Sequence, residues 1–181
     1  MSTQGITHTG GARTAVRLRP PRNRVAGRAI ALWTLRALLL WGPAAGVAAA
    51  MAAASGITGL VPWATGPLWA LTAAVGALGL LVVLAMPQWR YRVHRWEVTG
   101  EAVYTSFGWL WQEWRVAPMA RIQTVDTERG PLQRALGLST LTVTTASAAG
   151  PLRVDGLEAD LASDLAQQLT EVTQAVPGDG T

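Results

Sequence analysis

The sequence predicts a membrane protein: a two-helix transmembrane hairpin, then a small antiparallel β sandwich or barrel, capped by a C-terminal α-helix. Three observations carry this. Between Arg36 and Arg90 lie 53 consecutive residues without a charged side chain. From Trp89 onward the long apolar runs give way to short alternating ones. The chain then closes on apolar residues at three- and four-residue steps.

Composition sets the limits. A chain of 181 residues suits one domain, or one small domain with an appendage. Only 14% of it is charged, against about 25% in soluble domains. The absence of cysteine excludes disulfides, thiol nucleophiles and cysteine metal sites. His8 and His94 are too few and too far apart for a histidine metal cluster, and no cofactor or metal is expected. The net charge of +4 hides a division. Residues 1–96 carry ten arginines and no acid; residues 97–181 carry five arginines and eleven acids. No nucleic-acid partner is expected for that acidic half, because phosphate contacts need clustered basic side chains.

The uncharged run is long enough for two spans of ~20 residues each. It divides at Ser55-Gly56-Ile57-Thr58-Gly59 and at Pro62-Trp63-Ala64-Thr65-Gly66-Pro67, which are breaker and turn residues. This places a hairpin over 29–88, with spans at about 31–54 and 68–86. Pro67 and Pro87 suit the start and stop of the second helix. Gly42-Pro43 predicts a kink in the first. Gly42, Gly46, Ala50 and Ala54, with Ala70 and Ala74, recur at fourfold spacing; they mark either a close helix–helix seam or plain alanine abundance. A cleaved signal peptide fits poorly, because the apolar run starts late and a second span follows.

Arginine bias sets the orientation. Seven arginines lie at or before the start of the first span, and Arg90, Arg92 and Arg95 follow the second; residues 55–66 have none. The expectation is a multi-pass protein of the plasma (inner) membrane, with lipid as its solvent and both termini cytoplasmic. Trp33, Trp89, Arg36, Arg90 and Arg92 are expected at the inner interface, with Arg36 snorkelling to headgroups. Trp63 and Trp69 are expected at the outer one. Residues 1–28 are rich in arginine and glycine and are expected to be disordered.

Residues 89–176 read as a cytoplasmic domain. Tyr91 to Val98 alternate with a slip near His94, which predicts a first strand with a bulge. Thr99-Gly100-Glu101 is a turn. Further strands are predicted at 102–107, 111–117, 122–127, 141–145 and 152–154, with a short helical turn over 131–136. Asp155 and Glu158 have capping-box spacing, so the last helix is expected to begin there. Leu157, Leu161, Leu165, Leu169 and Val172 form its buried stripe. Residues 177–181 read as a flexible tail.

Arg121-Ile122-Gln123-Thr124-Val125-Asp126, Gly130-Pro131-Leu132-Gln133-Arg134 and Gly137-Leu138-Ser139-Thr140-Leu141 together resemble the signature of the bacterial pleckstrin-homology-like membrane protein family of the YdbS type. Trp89-Arg90-Tyr91-Arg92, Trp96-Glu97-Val98, Thr145-Ala146 and Asp155-Gly156-Leu157 resemble its flanking landmarks. The resemblance covers about 30–175. It implies an antiparallel β half-barrel (pleckstrin-homology-like) capped by a C-terminal helix, and no defined activity. It also implies a partner: another membrane protein carrying related domains. Phosphoinositide recognition is not expected, because Thr99-Gly100-Glu101 stands where lipid-binding relatives place basic residues. A domain at −6 is moreover repelled by an anionic leaflet.

Candidate site residues fall in two groups. Trp109, Leu110, Trp111 and Trp114 crowd one turn that cannot bury them all; they form either core or an exposed interaction tip. Arg121 and Gln123 share a strand face and form either a partner-binding or self-assembly surface, or a loop-pinning pair with Asp126. The Gly130-Pro131-Leu132 turn is no phosphate loop, since the chain has no lysine. No nucleophile–base order is evident, and the carboxylates fall mostly at solvent-facing positions, so catalytic residues are not expected. The function expected is a membrane-anchored, non-enzymatic adaptor binding protein partners in an envelope-related complex. The alternative is a membrane-lipid or envelope-stress sensor that touches the inner leaflet through its aromatic hairpin.

Overall fold

The computed structural model describes residues 21–108, 111–147 and 150–175. Two helices, α1 (Ala29–Thr58) and α2 (Pro62–Val93), pack side by side and are long and apolar enough to cross a membrane. Leu39, Leu40, Leu81 and Leu84 are each 60–71% exposed on their outer surface. Such a surface suits lipid tails rather than water. From residue 37 to residue 58, α1 runs about 33 Å at 1.5 Å per residue, close to the ~30 Å hydrocarbon thickness.

Both helices outrun their predicted ends. Pro43 lies inside α1, and Pro67 and Pro87 lie inside α2. Neither of the latter starts or stops a helix, and no break occurs at Gly42-Pro43. Pro43 and Pro67 are exposed and Pro87 is buried; membrane helices tolerate proline where nearby groups or local adjustment re-satisfy the freed carbonyls. The turn expected over 55–66 contracts to 59–61. Gly59 closes α1, its N–H donating to the Ser55 carbonyl at 3.2 Å. Ser55 Oγ then bonds the Val61 carbonyl at 3.2 Å and Thr65 Oγ1 at 2.9 Å.

The helices meet on a different stripe from the predicted one. Trp41 packs on Gly79, where an added Cβ would stand 3.2 Å from the indole. Ala52, Ser55 and Val83 are buried, whereas Gly42, Gly46, Ala50, Ala54, Ala70 and Ala74 face outward. The bulk of Trp41 explains this. One large side chain sits over one glycine at the seam, beside an apolar groove of about 220 Å³ that Gly42 and Gly76 also line, and the alanines at 50, 54, 70 and 74 are exposed.

The remaining chain forms two antiparallel sheets. The first, in order, is β1 (Asn23–Arg24), β2 (Arg95–Val98), β3 (Ala102–Phe107) and β4 (Glu113–Pro118). A single 3-10 turn, Met119–Arg121, leads into the second: β5 (Ile122–Glu128), β6 (Leu138–Thr145) and β7 (Leu152–Glu158). The short α3 (Pro131–Ala135) joins β5 to β6, and α4 (Ala159–Ala175) packs across all three strands. This is the half-open, helix-capped arrangement that the resemblance implied.

Three boundaries differ from expectation. Tyr91, Arg92 and Val93 end α2 rather than begin a strand, so the slip at His94 is a helix–strand junction. Residues 23–28 are not loose: Asn23 and Arg24 pair with Trp96 and Arg95, and Val25 is 3% exposed. Residues 1–20 and the tail 177–181 lie outside the described residues. The last helix starts at Ala159, so Asp155 and Glu158 belong to β7 and form no capping box. Its buried face is Ala162, Leu165 and Leu169, while Leu161 is exposed and Leu157 is buried on β7.

The core is continuous with the hairpin. Ala29, Leu32 and Trp33 of α1 join Leu138, Leu141, Val154 and Leu157 of the second sheet in one buried cluster. Gly156 makes that contact close. Its carbonyl accepts the Ala26 N–H at 2.9 Å, and an added Cβ would stand 2.7 Å from the Ala29 Cβ. Its φ of +84° also disfavours a side chain. Gly156→Ala should therefore destabilise the fold by about 3 kcal/mol, combining backbone strain with overpacking. Gly150→Ala, at φ +77° but in open space, should cost only about 1–2 kcal/mol. Thermal melts of the detergent-solubilised full chain should show the larger drop at Gly156; equal drops would contradict the packing argument.

Candidate functional site

A cleft of about 670 Å³ opens where the hairpin enters the domain. Its charged walls come from five separate segments. Arg36 of α1 and Arg90 of α2 form the hairpin side; Arg115 of β4, Arg129 and Arg153 of β7 form the domain side. Glu128 and Asp155 are the carboxylates among them.

Asp155 organises this end of the molecule. Its Oδ2 accepts from Trp33 Nε1 at 3.2 Å, Arg90 Nη2 at 3.3 Å and Arg36 Nη1 at 3.4 Å. Its Oδ1 accepts from Thr140 Oγ1 at 2.8 Å and Gln133 Nε2 at 3.3 Å. Gln133 is itself held, because its Oε1 accepts the Gly130 N–H at 2.8 Å. The Arg90 guanidinium lies 4.5 Å from the Trp33 ring centroid, a cation–π contact. Burial on its own would raise the Asp155 pKa. The bonds from Trp33 and Thr140 and the charges of Arg90 and Arg36 outweigh it, and the carboxyl sits below the usual range.

His94 stands behind this network at the end of α2. It is 5% exposed and lines the cleft, and its Nδ1 has no hydrogen-bond partner. Trp33 packs on it edge-on at 5.8 Å, and Phe107 lies 6.4 Å away. Burial, and then the neighbouring Arg90 charge, lower its pKa to about 4 despite Asp155. The imidazole is therefore neutral at pH 7.

The predicted interface anchors divide. Trp63, Trp69 and Trp89 are 50–79% exposed on the helices, and Arg92 is exposed. Trp33 is a correction: at 2% exposure it is core, not a lipid anchor. Arg36 and Arg90 turn to Asp155 rather than simply outward. The candidate interaction residues divide too. Trp109 and Leu110 lie outside the described residues. Trp111 is 82% exposed and Trp114 40%. Arg121 and Gln123 are exposed, with Gln123 at a register shift in β5. Trp114 and Arg121 meet in a groove of about 230 Å³ beside β4. Trp111 and Arg121 sit at opposite ends of that strand. Arg121 makes no ion pair with Asp126 among the described residues; Asp126 accepts instead from Thr124 at 3.3 Å.

In the sequence Arg36 and Arg90 read as interface anchors, and Arg115, Arg129 and Arg153 carry no signal of a shared site. Asp155 was read as a helix cap, and the signal that could have placed it was its membership of the Asp155-Gly156-Leu157 landmark. The five arginines are scattered over residues 36–153, and only the fold gathers them. Among the described residues, no group of three or more His, Asp and Glu side chains is arranged to hold a metal ion.

Two predictions follow from this network. Asp155→Asn leaves Arg36 and Arg90 facing each other without a counter-charge and should destabilise the fold by about 3 kcal/mol. Unfolding of the full chain in neutral detergent measures this; a melt equal to that of the native chain would refute the central role. The second concerns acid. The unfolded chain protonates His94 near pH 6.5, while the folded chain keeps it neutral to about pH 4. Acidification across that window therefore favours unfolding, by up to about 3 kcal/mol. Asp155 acts lower still. Its contribution is complete above the ordinary carboxylate pKa and is lost as pH falls through its depressed folded value. His94→Phe should flatten the stability profile between pH 6.5 and 4 and leave the lower limb in place.

Comparison with known proteins agrees with this architecture. The bacterial PH domain model matches residues 29–173, most of the chain and both helices included. The UPF0699 transmembrane protein YdbS of Bacillus subtilis (strain 168) is 28% identical over 155 residues, which cover 84% of this chain and 95% of that protein. No solved structure shows a significant match. A hairpin of two apolar helices, two antiparallel sheets, a capping helix and a family match across all of them leave one conclusion: the chain belongs to the bacterial PH domain family and is a membrane protein.

Proposed function

We propose that the protein is a membrane-anchored, non-enzymatic adaptor whose domain engages another membrane protein along the open seam between its two sheets. The supporting observation is the pair of strand edges. Among the described residues, β4 pairs only with β3 and β5 only with β6, though the two strands follow each other in the chain. Strand edges of this kind accept an added strand, whose main-chain bonds give affinity while neighbouring pockets give specificity. The groove holding Trp114 and Arg121 lies beside β4 and supplies such a pocket. The partner proposed is a membrane protein carrying related domains, with a second copy of this chain as the alternative occupant. In this reading the hairpin spans the plasma membrane twice. The arginine-bearing end of the hairpin, the domain and residues 21–28 are cytoplasmic, as arginine bias favours.

Trp111 favours a second role for its own turn. Phe107, at the base of the β3–β4 turn, lies against His94 at the end of α2. Phe107 therefore sits at the hairpin end of the domain, and Trp111, four residues on and exposed to 82%, suits the lipid headgroup zone. This is the lipid-contacting alternative, reduced to one side chain.

Photo-crosslinking in cells separates the two. A photoreactive residue in place of Arg121 should yield one discrete protein adduct, identified by mass analysis as a related membrane protein or this chain. The same residue in place of Trp111 should yield lipid. Arg121→Ala should lower co-purification of that partner about tenfold, the effect of one charged contact, with an unchanged melt. Lipid adducts alone from both positions would overturn the adaptor reading.

A further inference from the structure

The arginine cleft adjoins a groove in the hairpin, and the two share Arg36 and Arg90 as walls. That groove is apolar, of about 170 Å³, and is walled also by Ala37, Leu40, Trp41 and Met86. One end of this composite cavity is cationic and wet. The other is apolar and runs along helices that lie in lipid. The cationic end holds more positive charge than it neutralises. Asp155 is shared by Arg36 and Arg90, and Glu128 pairs with Arg153 at 2.8 Å. Arg129 donates to neutral acceptors, the Ala159 carbonyl and Ser163 Oγ. Arg115 pairs with Glu113 at 3.3 Å, just outside the lining. Five guanidiniums thus meet three carboxylates at the cleft. The wall also holds His94, 95% buried, whose Nδ1 lacks a partner.

We propose that this cavity is a phospholipid site: the phosphate headgroup is held by the cleft arginines, and an acyl chain lies in the apolar groove. Guanidinium forks match phosphate oxygens in geometry and charge. A phosphate there would offset the excess positive charge that Asp155, Glu128 and Glu113 leave. The acyl groove selects a lipid over a free phosphate compound, since only a lipid fills both ends. This differs from headgroup recognition by the first strand turn, because Thr99-Gly100-Glu101 lies apart from the cleft and stays acidic. It does not rest on the adaptor reading, since the cleft is lined by neither Arg121 nor Gln123. It does tie the domain to the leaflet beside it, through a ligand that touches both hairpin and sheets.

Native mass spectrometry of the full chain in neutral detergent tests this, with phosphatidylglycerol, phosphatidylcholine and glycerol phosphate as probes. Phosphatidylglycerol should bind about tenfold or more tightly than phosphatidylcholine, and glycerol phosphate more weakly than either lipid. The paired change Arg129→Gln with Arg153→Gln should weaken phosphatidylglycerol about tenfold or more, the loss expected on removing charge-assisted bonds. Arg121→Gln, outside the cleft, should have no effect. Met86→Trp, which fills the groove, should weaken the lipid and spare glycerol phosphate. If the paired variant unfolds, Arg153→Gln alone serves, because its side chain is 56% exposed and bonds only to Glu128 among the described residues. Unchanged lipid binding in the cleft variants would overturn the proposal. So would glycerol phosphate binding as tightly as lipid with Met86→Trp silent, which would mark a site for a free phosphate compound.

Discussion

One carboxylate holds the hairpin and the domain together. Asp155 accepts from five side chains drawn from α1, α2, α3 and β6. Remove that charge and two arginines confront each other at the point where the helices enter the sheets. Most of the surrounding geometry follows from bringing this strand so close to the helix. Gly156, one residue on, must lack a side chain so that β7 can reach Ala29. Trp33 must be buried so that its indole N–H meets Oδ2 and its face receives Arg90. Gln133 must be fixed by Gly130 so that its amide points to Oδ1.

The consequence is mechanical. A domain tethered by a flexible linker would sample many orientations over the membrane. Here the core cluster runs from the second sheet into the first turns of α1, and a partly buried ionic network seals the same joint. The β1 segment adds a third tie, pairing with β2 from the N-terminal side of α1. The sheets are therefore presented at one angle and one height relative to the helices. A rigid display of this kind would lower the entropic cost of the docking proposed above.

The architecture was legible in the sequence and its central site was not. Charge-free length revealed the hairpin, because membrane thickness leaves few alternatives. Period-two alternation revealed β3, whose bounds at Ala102 and Phe107 match the prediction. The errors share a cause. Pro67, Pro87 and the Asp155/Glu158 pair are local punctuation, and the fold overrode each of them. The helices run on through the prolines. Pairing of β7 with β6 extends the strand through the residues that resembled a cap. Trp33 was misread because tryptophan before an apolar run marks a membrane interface on average. Here the domain, not the lipid, covers it.

Average charge does not describe how the charge is distributed. The back half of the chain sums to −6, which argues for repulsion from an anionic leaflet. The fold does not expose that average. It gathers Arg115, Arg129 and Arg153 on the wall of one cleft and adds Arg36 and Arg90 from the helices. Glu113 pairs with Arg115 at 3.3 Å, but Glu101, Asp160, Asp164 and Glu171 lie exposed outside the cleft lining. Screening makes those distant acids weak beyond about 10 Å in salt, whereas the clustered arginines share walls of low dielectric, where their field is focused. A net-negative domain can therefore turn a positive mouth toward the membrane. The sign that matters for binding is that of the cleft, not of the chain.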